Sequence, residues 1–71
     1  MSSLYEALGL TPRATEHEVR LSFRRLAMIW HPDRNRDDPV TASQRFKSIS
    51  HAYTVLTDPV RKKEYDDSIF W

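Results

Sequence analysis

The chain has 71 residues, with 11 lysines and arginines against 10 aspartates and glutamates, and no cysteine. That length admits one domain, spanning 1–71, and a domain so short buries only about 60% of its unfolded surface. The missing cysteine excludes disulfides and thiolate metal sites, and a net charge of +1 lacks the basic excess of a dedicated nucleic-acid binder.

A short first helix is expected from Ser3 to Leu8. Ser3 and Glu6 match a capping box, in which the hydroxyl meets the third amide and the carboxylate reaches back. Leu4, Tyr5 and Leu8 supply an apolar side, and Gly9 is placed to end the helix in the left-handed conformation. The second helix is expected from Thr15 to about Trp30, with Thr15 and Glu18 as a second capping box. Val19, Phe23, Leu26, Ala27 and Trp30 recur at helical spacing and form its apolar face. Arg20, Arg24 and Arg25 are expected on the opposite, outer side. Pro32 stops the helix because it disfavours the helical conformation in the residue before it, so His31 is the hinge.

A charged loop follows from Pro32 to about Asp38. The third helix has two candidate starts: Asp38 as cap with Pro39 in first position, or a capping box of Thr41 and Gln44. Either start leaves Ala42, Phe46, Ile49, Tyr53 and Leu56 on one face, opposite the stripe of the second helix. Asp58 and Pro59 read as the cap and first position of a short last helix, with Tyr65 as its anchor. Ile69, Phe70 and Trp71 either extend that helix or fray. The expected fold is all-α: two long helices, about 15–31 and 40–57, form an antiparallel hairpin, with short first and last helices beside it.

The tripeptide His31-Pro32-Asp33 admits several readings. It can be a plain stop signal, since proline ends helices and aspartate is common in turns. It can be an acid–base pair, although the chain offers no nucleophile in a recognisable setting and little room for a pocket. His17, His31 and His51 lack the spacing of a metal site, and neither metal nor cofactor is expected.

The context favours another reading. An amphipathic helix with outer arginines runs into the tripeptide, a charged loop follows, and a second helix returns. These residues resemble the J domain of DnaJ-type co-chaperones. The likeness covers nearly the whole chain, in four segments that match in order: LYEALGL followed by Ala14-Thr15, EVRLSFRRLAMIWHPDRN, RFKSISHAYTVLTDP, and EYD.

The resemblance implies a non-enzymatic module that binds a DnaK-type chaperone, of the heat-shock protein 70 class, and speeds its ATP hydrolysis. It implies partner contacts from Arg20, Arg24 and Arg25 on the second helix, and from His31, Pro32 and Asp33 in the loop. Arg34 and Asn35 continue the loop pattern, and Phe46 falls where family members approach the partner, though core packing explains it equally. Arg45 and Lys47 can widen the basic surface, whereas Arg61 and Lys62 can simply complement local carboxylates.

The sequence departs from the family pattern at Leu21 and Ile29, where lysine is usual. With Met28 they make the outer face partly apolar, so docking is weaker there or these residues touch something else. The alternative function is a small helical nucleic-acid binder that uses the arginine face of the second helix. Asp33, Asp37 and Asp38 count against it, and no nucleic-acid partner is expected. No run approaches the ~20 apolar residues of a membrane span, and the N-terminus lacks the basic and apolar regions of a signal peptide. A monomer is expected, cytoplasmic by default, with compartment and client left open.

Overall fold

The computed structural model describes residues 3–70. Four α-helices follow in order: α1 (Leu4–Ala7), α2 (Glu16–Trp30), α3 (Pro39–Leu56) and α4 (Pro59–Phe70), with a 3-10 turn at Pro32–Arg34 between α2 and α3. The all-α expectation holds, and the long helices differ from it only by a residue or so at their ends.

Each helix starts where a short polar side chain can catch a free amide. The Ser3 hydroxyl accepts from the Glu6 amide at 3.1 Å, but only this half of the expected box forms. At Thr15 both halves form: the hydroxyl accepts from the Glu18 amide at 3.2 Å, and the Glu18 carboxylate accepts from the Thr15 amide at 3.1 Å. The Glu18 carboxylate also accepts from the Thr15 hydroxyl at 3.1 Å, and the bond from the Thr15 amide, then that from its hydroxyl, hold the Glu18 carboxyl below the usual range. Of the two candidate starts for α3 the chain uses Asp38, whose carboxylate accepts from the Thr41 amide at 3.0 Å. Pro39 has no N–H to leave unpaired, which suits it to the first position. The carboxylate of Asp58 accepts from the Val60 and Arg61 amides in the same way.

The helix ends are equally local. Gly9 has φ of +69°, the left-handed region that costs glycine little. There the Leu10 amide reaches back to the Tyr5 carbonyl at 2.8 Å and the Gly9 amide to Glu6 at 2.9 Å, closing α1 one residue earlier than expected. Ile69 and Phe70 continue α4, while Trp71 lies outside the described residues.

Cross-helix contacts fix the hairpin as antiparallel. Phe23 stacks on Tyr53 with ring centroids 4.3 Å apart, whereas Trp30, further along α2, meets the earlier residue Arg45. Among the described residues α3 is the helix that packs against each of the others. It supplies Ala42, Ile49, Ala52 and Leu56 to the buried set, joined by Tyr5, Leu8 and Val19. The α2 stripe is shallower than expected: Val19 is fully buried, but Phe23, Leu26, Ala27 and Trp30 are half-buried. Its main cover is α3 alone, so residues at the flanks of the stripe keep contact with water. Ser22, not expected inside, is buried because its hydroxyl donates to the Leu8 carbonyl, tying α2 to the end of α1.

Side chains from α4 close the opposite side. The Tyr65 hydroxyl accepts from the Leu4 amide at 2.7 Å. Asp66 accepts from the Tyr5 hydroxyl and from Lys62 Nζ, the latter at 2.7 Å. Burial, then the bond to Asp66, pushes the Tyr5 phenol above its ordinary value of 10.0.

Candidate functional site

α2 stops where His31 takes an extended backbone, φ −60° and ψ 134°, ahead of Pro32. The chain then winds into one 3-10 turn, with the Arg34 amide bonded to the His31 carbonyl at 2.9 Å and the Asn35 amide to Pro32 at 3.1 Å. Inside this turn His31 Nδ1 accepts from the Asp33 amide at 3.2 Å. A neutral ring that accepts at Nδ1 carries its proton on Nε2, so it offers a donor at Nε2. The nearer Asp33 carboxylate oxygen lies 3.7 Å from Nδ1, an ion pair only when the ring is charged. With its side chain 82% exposed, that carboxylate is free to accept from another molecule.

Beside the tripeptide lies a cleft of about 670 Å³ between α2 and α3. Phe23, Ala27, Phe46 and Tyr53 form its apolar floor, while Arg20, Arg24, Arg34, His31 and Asp33 stand around it. His31 meets Phe46 edge-on at 6.3 Å, so Phe46 belongs to both the packing and the site. Arg20 is held over the Tyr53 ring, donates to its hydroxyl at 3.0 Å and pairs with Glu16 at 3.4 Å. Its cation is thereby set at one end of the cleft, with the tripeptide at the other.

Two expected site residues stand elsewhere. The three arginines do not share one face: Arg25 lines a separate groove with Leu10, Glu18, Leu21 and Ser22. A helix turns about 100° per residue, so Arg24 sits about 40° from Arg20 and Arg25 a further 100° round. Asn35, expected as a partner contact, turns its amide inward and donates to the carbonyls of Ile29 at 2.8 Å and His31 at 2.9 Å. Pro32, between these groups, is exposed.

Some neighbours escaped the sequence. Arg45 does not simply widen the basic surface, because its guanidinium lies 5.6 Å from the Trp30 ring centre and closes the base of the hairpin. The Tyr53 hydroxyl was hidden behind the apolar reading of its ring, and only helix register puts it beside Arg20. Leu21, Met28 and Ile29, expected as an apolar strip on the outer face of α2, are each about half exposed, but Met28 lines the cleft and Leu21 the groove beside Arg25. Arg61 pairs with Asp58 and Lys62 with Asp66, the local complement foreseen for them.

A family model described as DnaJ domain matches residues 3–66. This chain belongs to the DnaJ-domain family. Over 62 residues, 87% of its length, this J domain is 52% identical to the chaperone protein DnaJ of Acidithiobacillus ferrooxidans. Over 67 residues, 94% of its length, it is 45% identical to human DnaJ homolog subfamily C member 21. It spans only 16% and 13% of those two relatives, respectively. The crystal structure of the J-Trx1 fragment of ERdj5 superposes with a TM-score of 0.86 at 37% identity, covering 94% of this chain and 32% of that one. The J domain is a co-chaperone module and not a family of catalytic enzymes. Among the described residues no cluster of histidine and acidic side chains could hold a metal ion, and no helix is long and apolar enough to cross a membrane.

Proposed function

We propose that this J domain docks on a DnaK-type chaperone and stimulates its ATP hydrolysis, so that the chaperone closes on a client polypeptide. The observation that carries this reading is a free, exposed Asp33 carboxylate at the mouth of a cation-flanked apolar cleft. Arg20, Arg24 and Arg34 supply long cations that steer an acidic surface and pair with its carboxylates. Phe23 and Phe46 offer apolar area once water is expelled. His31 then offers a donor at Nε2, Asp33 an acceptor, and Pro32 a restricted backbone between them. Met28 lines the same cleft, and Arg25 stands on its flank. Contacts of this kind change the chaperone's ATPase only by binding one of its conformations better than another.

The rival reading is a nucleic-acid binder on the arginine face of α2. Against it, that face divides between two grooves, and the exposed Asp33 carboxylate beside the cleft would repel a phosphate. The deciding experiment measures ATP turnover by a DnaK-type chaperone with increasing amounts of this domain, and duplex DNA binding in parallel. Stimulation that disappears in His31→Gln is expected. Unchanged turnover together with salt-sensitive DNA binding would replace the proposal with its rival.

A further inference from the structure

We infer that Asn35 is a positioning residue for the docking corner, acting by holding the His31-Pro32-Asp33 backbone in place and not by touching the partner. The inference rests on the docking reading above. It starts from how α2 ends. No glycine follows to close the helix through a left-handed residue, and His31 leaves helical geometry at once. The Asp33 amide, which a continuing helix would send to the Ile29 carbonyl, goes to the His31 ring instead. The Ile29 carbonyl therefore needs another donor.

Asn35 supplies it. One nitrogen, Nδ2, donates to Ile29 on the last turn of α2 and to His31 at the hinge, at 2.8 and 2.9 Å. Both neighbours are carbonyl oxygens, so only the NH2 group can face them, which fixes the amide orientation. The Asn35 backbone is engaged as well: its amide donates to Pro32 at 3.1 Å, and its carbonyl accepts from Asp38, the cap of α3, at 3.2 Å. One half-buried residue thus fastens the end of α2, the turn and the start of α3 to one another. Aspartate would set a negative oxygen against two carbonyls, and alanine would leave both without this donor. A corner fixed before docking spares the complex the ordering it would otherwise need.

The test compares Asn35→Ala, Asn35→Asp and Asn35→Ser in this 71-residue chain. Backbone 15N relaxation reports the order of residues 31–34, thermal unfolding reports the fold, and a titration of chaperone ATPase separates half-saturation from maximal rate. In the alanine and aspartate variants residues 31–34 become mobile while the amides of Val19, Ile49 and Leu56 keep their order. The domain concentration for half-maximal stimulation rises on the order of tenfold with the maximal rate retained. Serine, keeping one donor, falls between. Residues 31–34 as rigid in Asn35→Ala as in the unaltered chain would overturn the inference, and so would a mobile corner with unchanged half-saturation. No stimulation by the unaltered domain would instead bring down the docking reading, a failure that the relaxation data keep separate from rigidity of the corner.

Discussion

Among the described residues the Asp33 side chain accepts no hydrogen bond; what holds residue 33 in its turn is the backbone amide, bonded to His31. The carboxylate can therefore be altered without touching what orders the corner. Asp33→Asn should leave helical circular dichroism and the unfolding temperature as they are, within the roughly 0.5 kcal/mol usual for an exposed substitution. Stimulation of chaperone ATPase should fall to background, because an amide brings a donor where the partner expects two anionic acceptors. Loss of helical signal in this variant would show a structural task for the carboxylate. Asn35 is its complement, a residue two places on whose side chain faces the backbone and not the solvent.

The turning of α2 divides charges that look alike in the sequence. Arg24 stands at the cleft with His31 and Asp33, whereas Arg25 stands at the groove with Leu10 and Leu21. Reversing each to glutamate should therefore have unequal effects. Arg24→Glu raises the half-saturating concentration on the order of tenfold at low ionic strength, and less at 0.5 M salt, where screening weakens both attraction and repulsion. Arg25→Glu, on the flank, raises it about threefold at most. Titrations of ATP turnover at two salt concentrations check both, and equal defects would extend the footprint across Leu21 to the far groove. α3 has the opposite character from α2, for its apolar residues meet three other helices and it carries the core.

The whole domain depends on a closure between its two ends. α1 and α4 meet through side chains: Tyr5 to Asp66, and Tyr65 to the Leu4 amide. Asp66 also holds Lys62, whose pKa that bond raises above 10.5. Tyr5 is fully buried, and a neutral phenol is favoured there. Its folded pKa lies above the unfolded value, so its contribution to stability is complete below about pH 10 and fades as pH rises through the folded value. Tyr5→Phe should cost about 1.5–3 kcal/mol at neutral pH, the usual worth of a hydrogen bond to a charged group. The gap between the two proteins should narrow above about pH 10, because only the unaltered chain has a phenol to ionise at that position. Thermal unfolding at neutral and alkaline pH checks this, and a gap independent of pH would mean that the hydroxyl is not held as described.

Caps and breaks were legible because their partners lie within a few residues. Thr15 reaches Glu18, Asp38 reaches Thr41, Asp58 reaches Val60, and Gly9 and Pro32 act on their own backbone neighbourhood. The family motif around His31 singled out the corner on which the docking proposal rests. The order of the chain could not show which side of α2 each arginine takes once packed. Nor could it show that Tyr53 receives Arg20, that Ser22 answers the Leu8 carbonyl, or that Asn35 holds the hinge. The first two of those pairings join residues 33 and 14 positions apart, set by how the helices slide and rotate against one another. That register is chosen by packing around α3, a sum over many side chains that no single local pattern encodes.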